Sequence, residues 1–225
     1  MAEQPDPAGP TPRNTNEAIV NPQLSDLIER YPALAPCTDD IDAVFRMMCD
    51  CYRNGGKVLI CGNGGSAADA EHWAGELLKG FLTRRPVTGP ACANLPPDLA
   101  PYLQGSLPTI PLTGFLSLGT AFANDVSSLY IFSQLVWGLG RPGDILIGIS
   151  TSGNSRNILH ALETARCRGL RRIGLTGVSG GEMTGQTDIC IQVPASRVHE
   201  IQELHLPVYH CLSNMLEQEF FPETE

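Results

Sequence analysis

Short apolar runs alternate with stretches of helical period along most of this chain. KVLIC at Lys57–Cys61, TIPL at Thr109–Leu112, DILIGI at Asp144–Ile149, RRIGLT at Arg171–Thr176 and ICIQV at Ile189–Val193 are brief and continuous, with helical patterns between them. Uninterrupted apolar strands separated by helices predict a parallel sheet covered on both faces. Helices are expected over Pro22–Tyr31 and Thr38–Arg53. In the second, Thr38 is the expected N-cap, Ile41, Val44, Phe45, Met48 and Tyr52 share a face, and Asn54-Gly55-Gly56 ends it. A long final helix carries VHEIQELHLPVYHCLSNMLEQEF, in which Pro207 removes one backbone hydrogen bond and predicts a kink.

Two regions break the rhythm. Residues 1–16, with Pro5, Pro7, Pro10 and Pro12, read as a disordered, solvated tail, leaving 17–225 as a single domain. Residues 82–108 hold Pro86, Pro90, Pro96, Pro97 and Pro101 and read as an inserted loop with one helical turn near Leu99–Gln104. Loops of such length are commonly functional or mobile.

Composition narrows the picture. The 225 residues are 42% hydrophobic, enough for one α/β core. A net charge of −9 argues against nucleic acid and anionic membrane as partners. No apolar run reaches membrane-spanning length. The eight cysteines form no C-x-x-C pair and no apolar signal peptide precedes them, so they are expected to be reduced, mostly buried thiols in a soluble, cytoplasmic protein.

Ligands on parallel sheets bind beyond the carboxyl ends of strands, and two such ends carry the chemistry here. After KVLIC comes GNGGSAADAEHWAGE, and after DILIGI comes STSGNSRN. The first N–H groups of a helix lack intrahelical partners and carry the positive end of its dipole, and glycine lets an anion approach them. Ser150, Thr151, Ser152 and Ser155 add hydroxyl donors with no Lys or Arg among them. The pair of junctions reads as a cradle for a phosphorylated small molecule. Gly62-x-Gly64-x-x-Ala67 also fits the dinucleotide fingerprint, but the acidic residue due about twenty positions on is replaced by Leu82-Thr83-Arg84-Arg85-Pro86.

His72 and Glu76, four apart, lie on one helix face. Such a pair is ordinarily a solvated face; what favours function is its position directly behind the phosphate-binding turn. Gln202 and His210 sit about 80 degrees apart on a helical wheel and can face one cavity. His199 and His205 are expected to be ordinary surface or interface residues.

The motifs CGNGGSAADAEHWAGEL, GISTSGNS, LTGVSGGEM and IQELH, ending in His210, follow in order those of the sugar isomerase (SIS) domain family, and the chain resembles its phosphoheptose isomerases from about Asp40 to Phe221. The resemblance implies a three-layer α/β/α sandwich around a five-stranded parallel sheet, flavodoxin-like in order. It implies interconversion of sedoheptulose 7-phosphate and a heptose 7-phosphate. Asn63, Gly64, Ser66, Ser150, Thr151, Ser152 and Ser155 match phosphosugar-binding positions, and Asp125 a sugar-contacting aspartate. His72, Glu76, Gln202 and His210 match a quartet that binds zinc in some members. Glu76 and His210 also match an acid/base pair, and Glu76 and Gln202 substrate contacts. A homotetramer with active sites at subunit boundaries is implied as well.

Three departures bear on the substrate: the proline-rich insertion, Gly80-Phe81 where many relatives carry Gly-Arg, and Pro207. They leave open a related ketose phosphate of seven or eight carbons. A SIS hydrolase or lyase, or a non-catalytic SIS regulator of the kind that binds the bacterial replication initiator, is the alternative. Relatives of the last kind tend to lack the glutamate or the terminal histidine, and this chain keeps both.

Overall fold

The computed structural model describes residues 21–87 and 89–222, so the tail expected over 1–16 lies outside them. The elements follow in the order α1 (Pro22–Arg30), α2 (Thr38–Arg53), β1 (Val58–Gly62), α3 (Gly65–Leu78), β2 (Thr109–Pro111), α4 (Leu116–Phe122), α5 (Ile131–Leu139), β3 (Ile145–Ile149), α6 (Arg156–Cys167), β4 (Arg171–Gly177), β5 (Ile189–Val193) and α7 (Val198–Phe220). The strands form one parallel sheet in the order β2-β1-β3-β4-β5.

Alternation along the strands sorts side chains to the two faces. Val58 and Ile60 of β1 and Ile145, Ile147 and Ile149 of β3 pack with α1, α2, α3 and α7, while Leu59, Cys61 and Leu146 pack on the opposite side with α5 and α6. This is the expected helix–sheet–helix sandwich. Each large core side chain, Trp73 or Ile60 for instance, contributes roughly 1.5–3 kcal/mol by leaving water. β2 lies at the sheet edge, where Pro111, which has no N–H, is tolerated. Because the chain steps outward from β1 to β2 and then back past β1 to β3, the order reverses between β1 and β3. A ligand crevice opens at such a reversal, and both glycine- and serine-rich junctions leave the sheet there.

Local details add to or depart from expectation in several places. Thr38 is the first residue of α2 rather than its cap: a 3-10 turn over Pro32–Cys37 leads directly into the helix, and the Thr38 hydroxyl donates back to the Ala35 carbonyl at 2.8 Å. α7 is one continuous helical segment across Pro207, and it runs on beyond the proline rather than ending there. His205 is fully buried, whereas His199 is exposed as expected. The proline-rich stretch holds two 3-10 turns, Pro90–Asn94 and Ala100–Tyr102, of which the second is the turn expected there.

All eight cysteines are free; Cys37, Cys49, Cys51, Cys61 and Cys211 are buried, Cys92 and Cys190 partly so, and Cys167 exposed. Among the described residues no helix is long and apolar enough to cross a membrane.

Candidate active site

The second junction builds the cradle. Ser150 is buried at the end of β3, with its hydroxyl 2.9 Å from that of Ser155, the residue preceding α6. Gly153 turns the chain between them at φ +65°, and a Cβ there would stand 1.9 Å from the Gly180 carbonyl oxygen, so the loop after β4 presses against a position only glycine can fill. Asn154 accepts the Glu182 N–H at 2.9 Å, which ties that loop to the cradle. Thr151 is half-buried and Ser152 exposed. Hydroxyls and the N-terminus of α6 therefore ring one small space.

The first junction closes its other side. Gly64 takes φ +55° ahead of α3, and Ser66 is buried in the first turn. Asn63 and Asn157 exchange amide hydrogen bonds of 2.9 and 2.8 Å, latching the two junctions together. Asn157 was not singled out from sequence; an amide two residues past the last serine was the available signal. A cavity of about 300 Å³ next to Asn63 and Gly64 is walled by Leu112, Thr113, Phe115 and α4. Asp125 lies further along, exposed on a π-helical turn (Ala123–Ser127), accepting a 2.8 Å bond from Asn124. Single π turns recur at functional sites.

α3 and α7 run side by side in the same direction, and they gather a second cluster. His72 Nε2 lies 3.1 Å from Glu76 Oε1, and the His72 and His210 rings stand 5.1 Å apart, edge to face. Lys79 Nζ donates to the other Glu76 oxygen at 2.9 Å. Burial opposes ionisation of Glu76, but the Lys79 hydrogen bond and charge, with His72 beside them, outweigh it and hold the carboxyl below its usual range. Burial, reinforced by His72, pushes His210 down, so that its imidazole is a neutral base at neutral pH. Its Nε2 is buried and has no partner among the described residues.

A collar of loop fixes both catalytic candidates. Buried Glu217, two turns beyond His210 on α7, accepts N–H bonds from Phe81, Leu82 and Thr83 at 2.7, 2.8 and 3.1 Å and an Arg85 Nε bond at 2.8 Å. Arg85, equally buried, donates to the carbonyls of Leu77 and Glu76 at 2.8 and 2.9 Å, capping the negative end of α3. Phe81 lies against the His210 ring, centroids 5.3 Å apart. Neither Arg85 nor Glu217 was expected to matter.

Gln202 does not join His72, Glu76 and His210. Its amide presses on Gly65, where a Cβ would stand 2.4 Å from Nε2. Eight residues of helix place it about 12 Å along α7 from His210. The four-residue metal set is thus divided between the two ends of α3 within one chain. As they stand, no three His, Cys, Asp or Glu side chains among the described residues are grouped to hold an ion. The chemistry of the remaining trio, two imidazoles and a carboxylate with one buried free nitrogen, does suit a divalent first-row metal.

Comparison with known proteins places the chain in a family. Residues 24–98 and 116–214 each match the SIS domain. A phosphoheptose isomerase of Akkermansia muciniphila is 39% identical over 199 residues, covering 88% of this chain and 95% of the relative. One from Coxiella burnetii is 41% identical over 196 residues, covering 86% and 89%. Among solved structures, the phosphoheptose isomerase of Neisseria gonorrhoeae superposes with a TM-score of 0.70 at 33% identity, covering 86% of this chain and 94% of that one. That of Francisella tularensis gives 0.69 at 37%, covering 87% and 93%. The sheet order is thus that of a chain whose relatives match it over nearly their whole length, and it belongs to the SIS domain family, among the phosphoheptose isomerases.

Proposed function

We propose that this chain interconverts a ketose phosphate and its aldose, with sedoheptulose 7-phosphate as substrate. The observation that carries the reading is the meeting of Glu76, His72 and His210 at one end of a helix whose other end opens on a hydroxyl-lined phosphate cradle. Moving a carbonyl from C2 to C1 requires one carbon-bound proton to leave C1 and arrive at C2, while an oxygen-bound proton moves from O1 to O2. Glu76, ionised beside Lys79, takes the C1 proton, leaving an enediolate, and returns it to C2. His210 carries the proton between the oxygens, and Lys79 and His72 stabilise the negative charge that develops. Alternatively, His72, Glu76 and His210 would hold a divalent ion such as zinc, which would polarise the substrate carbonyl as a Lewis acid; side chains so bound would not serve as the free base and acid.

Glu76 lies about 15 Å along α3 from Ser66, whereas an extended seven-carbon phosphate spans only about 10 Å. This supports a site shared between copies, with the cradle of one subunit facing the acid/base cluster of another, and hence a homo-oligomer, read as a tetramer. Exposed Leu82, Leu116, Val126 and Trp137 are apolar surface that such contacts would cover. Free thiols suit the cytoplasm.

Incubation with sedoheptulose 7-phosphate, followed by NMR for an aldose product, tests the activity; no conversion, with or without added zinc, would reject it. Glu76→Gln should abolish turnover while phosphosugar binding stays within about tenfold. Mixing Glu76→Gln subunits with subunits whose cradle is broken by Gly153→Ala should restore part of the activity if the site spans two copies.

A further inference from the structure

The cluster has a back wall that the proposed reaction does not use. Tyr209, next to His210 and fully buried, lays its ring parallel to Trp73, with centroids 5.7 Å apart and planes 20° from parallel. Its hydroxyl reaches His72 Nδ1 at 3.0 Å and Asp69 Oδ1 at 3.4 Å. On the far side of the same imidazole, Nε2 meets Glu76 Oε1 at 3.1 Å. Four side chains are thus strung along one line, Asp69–Tyr209–His72–Glu76, with Lys79 closing its end.

Counting donors gives the line a direction. The Asp69 carboxylate can only accept, so the phenol donates its single hydrogen to Asp69 Oδ1 at 3.4 Å, and its oxygen is left to pair with His72 Nδ1 at 3.0 Å. Without the hydroxyl, His72, whose side chain is nearly half exposed, would keep a side-chain hydrogen bond to Glu76 alone and be free to turn. The stacking on Trp73 holds the phenol from behind, so the hydrogen bond is presented from a fixed base.

We propose that Tyr209 is a positioning residue: its hydroxyl pins His72 Nδ1, fixing the ring orientation that aims Nε2 at Glu76 and His210. The proposal rests on the acid/base cluster being the reactive end of the site. A buried partner on the remote nitrogen of a functional histidine typically matters about 10- to 100-fold in activity or metal affinity.

The test is Tyr209→Phe, which removes one oxygen and leaves the stacked ring. With 15N-labelled histidine in chelator-treated full-length protein, wild-type His72 Nδ1 should show the shift of a hydrogen-bonded nitrogen, and the variant that of a free one. The kcat should fall about tenfold with KM within twofold, and zinc affinity, measured by competition with a chromophoric chelator, should weaken by a similar factor. A wild-type Nδ1 with the shift of a free nitrogen overturns the proposal, even if the variant folds poorly. So does a folded variant with wild-type kcat and zinc affinity. Lack of isomerase activity in the wild type would sink the functional reading instead, and the Nδ1 measurement would still stand on its own.

Discussion

Glu217→Gln removes one charge from a place where water cannot replace it. Both Glu217 and Arg85 have fully buried side chains, and the carboxylate accepts four hydrogen bonds, three from backbone N–H groups and one from the guanidinium. Breaking a buried ion pair from one side leaves an uncompensated charge, at a cost of about 3–5 kcal/mol. Against a typical stability of about 5–15 kcal/mol this is a large fraction. For a chain of this size it corresponds to a Tm lowered by roughly 6–20 °C. Replacing both partners, Arg85→Met with Glu217→Leu, is often a rescue for buried pairs, but here it should not be one, because the Phe81, Leu82 and Thr83 N–H groups depend on the carboxylate. Urea unfolding of wild type, single and double variants measures all three. A loss below about 1 kcal/mol in Glu217→Gln, or a double variant as stable as wild type, refutes the reasoning. Since the collar also holds Phe81 against His210 and caps α3 beside Glu76, kcat of the single variant should drop at temperatures where it remains folded.

Gly153→Ala should destroy phosphosugar binding, because its methyl would collide with the Gly180 carbonyl from a left-handed backbone; calorimetry showing wild-type affinity would contradict the cradle. Burial lowers the buried His205 to about 4, against the opposing effect of the nearby Thr176 backbone. Folding favours its neutral form, so the stability it confers is complete above about pH 6.5 and is lost as pH falls toward 4, a swing of about 3 kcal/mol. The stability difference between wild type and His205→Gln, followed by denaturant titration from pH 8 to 4, should change by about that amount; a constant difference would contradict it. Chelation should remove activity and zinc should restore it. Full turnover by metal-free protein would exclude the Lewis-acid role.

Much of this molecule was legible because its information is local. Five apolar runs gave five strands, and glycine beside serine marked the two strand-to-helix junctions. His72 and Glu76 declared themselves by helical spacing. What stayed hidden depends on distant pairings. Glu217 in LEQEF looks like any solvated helix residue until Arg85, 132 positions earlier, is folded beside it. Tyr209 carries no local signal, and His205 reads as a surface or interface residue, because nothing nearby says which α7 residues face the sheet. Thr38 looked like a cap, but the preceding 3-10 turn had already started the helix. Gln202 and His210 do share a helix, yet the wheel that put them on neighbouring faces says nothing about the axial rise that separates them.

The shared direction of α3 and α7 makes the pair behave as a vernier. Gln202 is level with Gly65, Tyr209 and His210 with His72, and Glu217 with the turn after Leu78. Deleting one residue between Gln202 and His210 would swing everything beyond it by about 100 degrees and shift it by about 1.5 Å, dismantling imidazole, phenol and collar together. A change of length in a connection such as the stretch leading to Thr109 would leave the level of all these residues against one another undisturbed, whereas the same change inside either helix would not.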